Sequence, residues 1–152
     1  TKGKFAYDFG DTGNRTPLVK MHTLGSSFMP PPTHSGGLRY HGMAPMVSHL
    51  TDIGAIEAKA FGQKECFEAG VKFANVEGIV PAPEATHAVK GAIDEALECK
   101  KNGQKKTILF NLCGHGHFDM QAYGDYFNNK LSDDSYNEAA VNKALEKLPK
   151  IA

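Results

Sequence analysis

Seven residues constrain this chain more than any others: Thr107-Ile108-Leu109-Phe110-Asn111-Leu112-Cys113. The run is short, almost continuously apolar and opens on a β-branched residue, the pattern of a strand covered on both faces. Two helical patterns precede it. From Gln63 to Ala74, Phe67, Val71 and Ala74 recur at i, i+4 and i+7, with Cys66 and Phe73 widening the stripe. Further on, Ala85, Ala88, Val89, Ala92, Ile93, Ala96 and Leu97 share one face. Glu84 sits at the positive end of that helix, Lys100 and Lys101 at the negative end, and Gly103 follows as a stop. Ala55 to Phe61 alternates weakly and reads as a short strand. Strand, helix, helix, strand implies a parallel crossover. The expected class is therefore α/β, three αβα layers built on a mainly parallel sheet. Phe118 to Leu131 and Asp134 to Leu148 read as two more helices, the second ended by Pro149.

The amino-terminal third is written differently. Residues 1–50 hold 7 Gly and 5 Pro, as many breakers as the other 102 residues together. This predicts a Gly/Pro-rich, loop-built segment over 1–50 that packs on an α/β domain over 51–152, one domain overall. Its densest part, Met29-Pro30-Pro31-Pro32-Thr33-His34-Ser35-Gly36-Gly37, is flanked by Phe28, Leu38, Tyr40 and Met43. A linker seldom carries so much apolar surface, so an ordered loop buried under other structure is expected. With 17 Lys+Arg against 17 Asp+Glu, no global field favours nucleic acid or an anionic membrane. No apolar run approaches the roughly 18 residues of a spanning helix. Thr1 to Gly10 lack the form of a signal peptide. Three scattered cysteines make no disulfide framework, which points to the cytoplasm.

Three places could carry chemistry. Asn111-Leu112-Cys113-Gly114-His115-Gly116-His117-Phe118-Asp119 takes the predicted strand through two glycines towards a helix. Ligands bind in α/β sheets at such carboxyl ends, where glycine lets the backbone approach. Cys113 reads either as core or as a reactive thiol. His115 and His117, at i and i+2, could hold zinc with a third ligand such as His87 or His34, as in a small metal-dependent hydrolase. Glu77-Gly78-Ile79-Val80-Pro81-Ala82-Pro83-Glu84 places a carboxylate at each end of a proline-punctuated turn. Glu84 has a structural reason, as a helix N-terminal charge, and Glu77 has none. Gly36-Gly37-Leu38-Arg39-Tyr40-His41-Gly42 offers Arg39 for a carboxylate or phosphate.

Taken together in this order, with Thr23-Leu24-Gly25 and Pro31-Pro32, these segments resemble the carboxyl-terminal part of tryptophan synthase β chains of the second subgroup. The resemblance runs from about Tyr7 to Leu131. It implies a pyridoxal-phosphate enzyme of fold type II that joins L-serine and indole by β-elimination and replacement. The family's Schiff-base lysine and phosphate loop lie upstream of these motifs, so the resemblance implies no catalytic residue here and an inactive fragment, or a folded piece without activity. Cys113 stands where the family has a serine facing the pyridine nitrogen. Glu77 matches a glutamate beside the ring, and Gly114 and Gly116 the glycines that pass it. Tyr40 and Gly42 fall where the better-known subgroup binds a monovalent cation through main-chain carbonyls. Arg39 replaces an aspartate that closes the site over serine, a charge reversal that leaves an α-chain partner open. A homo-oligomer is implied, with neither nucleic acid nor membrane as partner.

Overall fold

The hairpin at the start of the chain is closed by its own connection. Strands β1 (Lys4–Phe9) and β2 (Leu18–Thr23) pair antiparallel, with Lys4 opposite Thr23 and Phe9 opposite Leu18. In the turn between them, the Asp11 carboxylate accepts the Arg15 and Thr16 N–H groups, each at 3.0 Å. Those bonds, the Thr16 N–H first, hold the Asp11 carboxyl below its usual range. The computed structural model describes residues 3–133 and 137–150, and all that follows concerns those residues. They hold five α-helices and this single two-stranded sheet, an α/β composition.

The chain divides into two compact units. The first comprises the described parts of Thr1–Pro32, Arg39–Ala58 and Asp134–Ala152. Helix α1 (Pro45–Asp52) lies against β2 through the buried Ser48, whose Oγ accepts the His22 N–H at 3.0 Å. Helix α5 (Glu138–Leu145) is capped by Asn137 and buries Val141, Ala144 and Leu145 against Phe28. The second unit comprises Thr33–Leu38 and Lys59–Asp133. Helices α2 (Gln63–Glu77) and α3 (Pro83–Lys101) pack together, and α4 (Met120–Phe127) joins them. Phe67, Ala122, Tyr123 and Leu131 form the core of this unit, with the Phe67 and Tyr123 rings edge to face at 5.0 Å. No helix is long and apolar enough to cross a membrane.

The local helix signals worked because they are local. Glu84 in the first turn and Lys100 and Lys101 in the last turn bound α3 as expected, and Gly78 ends α2 in the left-handed region at φ 72°. Helix α4 is shorter than Phe118 to Leu131, and α5 occupies only part of Asp134 to Leu148, whose first three residues lie outside the described ones. Within the second unit, residues 33–37 of the 29–37 loop are held by long-range bonds, His34 N–H to Gln63 Oε1 and Gly37 N–H to Glu84 Oε1, both 2.8 Å. The expected burial does not hold: Phe28 is buried, but Met29, Leu38, Tyr40 and Met43 are exposed.

Three expectations need correction. Residues 4–23, assigned to loops, form the hairpin, because breakers clustered in its turn left both flanks free to pair. Ala55–Phe61 is no strand: it is irregular and almost wholly exposed, with no neighbour to pair with. Thr107–Cys113 is no strand either. Its burial alternates as in extended chain, with Ile108, Phe110 and Leu112 half-buried and Thr107, Leu109, Asn111 and Cys113 exposed. Yet no backbone hydrogen bond joins it to another segment, so the parallel crossover and its layered sheet do not form within the described residues.

Candidate functional site

Two motifs separated by thirty-odd positions are held together in the second unit. Residues 80–82 run beside 114–116 as a short antiparallel bridge, Pro81 opposite His115. The Ala82 N–H donates to Gly114 O at 3.0 Å and the Gly116 N–H to Val80 O at 2.7 Å. From below, the Tyr123 hydroxyl on α4 donates to Pro81 O at 2.6 Å. Burial pushes this phenol up to about 12. The bridge requires glycine on one side. A Cβ at Gly116 would lie 2.6 Å from Pro81 O and 2.8 Å from Val80 Cγ1, a contact that backbone would have to yield to. Gly114 has φ +106°, a conformation that L side chains rarely adopt.

This scaffold presents Cys113 and Glu77 in the same unit. Cys113 is exposed, and its thiol makes no hydrogen bond among the described residues. The core reading of that thiol is therefore set aside; Cys66 and Cys99 are the buried cysteines. Burial pushes the Cys66 thiol up to about 12, which makes it inert at neutral pH. Glu77 is the last residue of α2, exposed and without an ion pair among the described residues. A carboxylate at the negative end of a helix is destabilising by a few tenths of a kcal/mol or more, roughly 0.3–1. Its place has no stabilising explanation.

The zinc reading fails on its donors. The His117 N–H donates to His115 Nδ1 at 3.2 Å, and the two rings lie 4.6 Å apart at 49°, so one nitrogen is already used. His87 Nδ1 is turned to Pro83 O at 3.1 Å, and His34 Nε2 lies 4.0 Å from Asp125 Oδ2. Among the described residues no three His, Cys, Asp or Glu side chains gather as a metal site.

Arg39, Tyr40 and Gly42 belong to the first unit. Here residues 41–43 add to the edge of β2, with Thr23 opposite Gly42. The Leu24 N–H donates to His41 O at 2.7 Å and the Met43 N–H to His22 O at 2.9 Å. His41 Nε2 also bonds Phe9 O at 2.8 Å. The bridge uses His41 O and the Met43 N–H, so Gly42 O is not one of its acceptors. Arg39 is exposed and reaches Pro30 O at 3.5 Å, a weak tether that leaves the guanidinium available. Behind this loop lies Asp8, fully buried, its Oδ2 accepting the Thr23 hydroxyl at 2.7 Å and its Oδ1 the Phe9 N–H at 2.8 Å. Sequence reasoning singled out neither Asp8 nor Tyr123. An acidic residue inside an alternating apolar stretch and a tyrosine on an inward helix face were the available signals.

Curated relatives match the chain closely over most of its length. Tryptophan synthase beta chain 2 of Aquifex aeolicus is 59% identical over 133 residues, 88% of this chain and 31% of its own. The protein of the same name from Methanosarcina mazei is 60% identical over 131 residues, 86% of this chain and 30% of its own. Tryptophan synthase beta chain of Pyrococcus horikoshii is 50% identical over 149 residues, 98% and 32% respectively. The chain therefore spans about a third of the length of the relatives it matches. No family model matches it.

Proposed function

Since the chain belongs to the tryptophan synthase β-chain family, matching about a third of its relatives' length, we propose that it is the carboxyl-terminal part of a pyridoxal-phosphate enzyme joining L-serine and indole to L-tryptophan. The observation that carries this reading is the bridge of 80–82 with 114–116, which sets Glu77 and a free Cys113 thiol on one scaffold. The donor set fits a flat heteroaromatic cofactor: an exposed neutral thiol for the pyridine nitrogen, and at Gly114 and Gly116 a backbone bare of side chains. When bound, pyridoxal phosphate supplies the electron sink.

The chain's own residues would tune and enclose that group. Cys113 offers a weak neutral donor, which does not hold a proton on the pyridine nitrogen as a carboxylate would. The weaker electron withdrawal favours elimination and replacement over transamination. Glu77 would stand beside the ring, and Arg39 would pair the serine carboxylate as the site closes. The Tyr40 and Gly42 carbonyls would hold a monovalent cation. The lysine and phosphate loop would come from the part of the enzyme that this chain does not span, so the chain alone is inactive. In the whole protein, residues 107–113 would take their place in a mainly parallel sheet between helical layers. The assembly would be a cytoplasmic homo-oligomer.

The test is spectroscopic, on the complete enzyme. Cys113→Ser should keep the cofactor's absorption and affinity, whereas Cys113→Asp should shift the bands to those of a protonated pyridine. Identical spectra for wild type and the aspartate variant would remove Cys113 from the site.

A further inference from the structure

Arg39, assigned above to the serine carboxylate, is poorly held by its own side chain. Its Nη2 stands 3.5 Å from Pro30 O, beyond the roughly 2.7–3.2 Å of N–H···O bonds. What fixes this segment lies two residues on, at His41. The His41 carbonyl accepts the Leu24 N–H at 2.7 Å just past β2, and the ring Nε2 lies 2.8 Å from the carbonyl oxygen of Phe9, the last residue of β1. A carbonyl oxygen only accepts, so Nε2 carries a hydrogen and donates it. The next residue leaves no slack, since a Cβ at Gly42 would run into the Met21 sulfur. Among the described residues, Arg39 and His41 are the only members of 38–43 whose side chains form hydrogen bonds, and the His41 bond is the short one.

We propose that His41 is the positioning residue of Arg39: by donating to Phe9 O, its imidazole sets where the guanidinium stands when serine binds. The inference rests on the reading of Arg39 given above and adds to it a residue that touches neither serine nor cofactor. Two residues of chain span at most roughly 7 Å, so a displacement at His41 reaches Arg39 with little room to be absorbed. A guanidinium fork holds a carboxylate through two parallel N–H···O bonds, and both lose alignment when the fork moves. The hairpin is the fixed body here. His41 grips it at Phe9 and at Leu24, and Arg39 is carried on that grip.

Serine binding to the complete enzyme, followed through the cofactor's absorption, tests this with two variants matched in polarity. In His41→Gln the amide nitrogen can stand where Nε2 stands, whereas in His41→Asn it falls one methylene short of Phe9 O. His41→Gln should bind serine within about twofold of wild type, and His41→Asn about tenfold more weakly, the scale of one charge-assisted hydrogen bond. KM for indole should be unchanged in both. Arg39→Ala is the reference, and Arg39→Ala/His41→Asn should bind serine no more weakly than Arg39→Ala, because His41 acts only through that residue. Equal affinities for the Gln and Asn variants, with Arg39→Ala weakened, overturn the role of His41 and leave that of Arg39 standing. Losses that multiply in the double variant overturn it as well, since His41 then serves the fold alone. Unaltered serine affinity in Arg39→Ala removes Arg39 from serine, and the positioning role falls with it.

Discussion

Two β-prone regions of this chain meet opposite fates. Residues 4–9 and 18–23 are close in sequence, and the Asp11-centred turn brings them together within the same polypeptide. Residues 107–113 are the more apolar stretch, yet their backbone stays open. The difference is loop closure. A short connection joins antiparallel neighbours, whereas a parallel neighbour needs a crossover to a strand that the chain must contain. Apolar content sets how much a strand gains from pairing, and topology sets whether the partner is present.

The strongest way to break the contrast is at the closed pair. Asp8, on β1, is fully buried and accepts from Thr23 of β2 and from Phe9. Asp8→Ala leaves both donors without that acceptor. Thr23 can turn to His41 O at 3.3 Å and recover part of the loss. Urea denaturation should show a loss of about 2–3 kcal/mol, from the usual cost of stranding buried donors. A change under about 0.5 kcal/mol, the scale of an ordinary surface substitution, would mean that the hairpin does not depend on this buried link.

The same contrast explains what could be read in advance. The helices α2 and α3 were legible because their period, caps and end charges lie within the element itself. The motifs around Glu77 and Cys113 were legible as motifs. Their joining by Pro81 and His115 was not, since an isolated bridge has no period and Tyr123 reaches it from another helix. The strand at 107–113 was legible only as a propensity. Pairing is a property of two segments, and one segment's sequence is silent about the other.

At the bridge, where the open segment first finds a partner, the expected effect is smaller. Tyr123→Phe removes the hydroxyl from Pro81 O and should lower stability by about 1 kcal/mol. Its titration has a definite sign. The folded phenol is raised to about 12 from its ordinary value of 10.0, so the folded state keeps a proton that the unfolded state releases. Its contribution is complete below pH 10 and falls as pH rises towards 12. Cys66, raised to about 12 from 9.0, adds a decline that begins earlier, near pH 9. In alkaline urea titrations, Tyr123→Phe should flatten the upper part of the curve and Cys66→Ala the lower part. Unchanged slopes in both would separate the bridge from the stability of its unit.

The smallest effect belongs to the open segment itself. Leu109 is 93% exposed, so Leu109→Lys removes almost no buried apolar area. Its stability should stay within about 0.5 kcal/mol of wild type. Lysine at Met21, 4% exposed on β2, should by contrast cost several-fold more, since it must bury a charge against Gly42. Matching losses at the two positions would show that 107–113 is already covered within the monomer, and the distinction between the closed and the open strand would fall. Tolerance at Leu109 with intolerance at Met21 places the cost of a strand where its partner is.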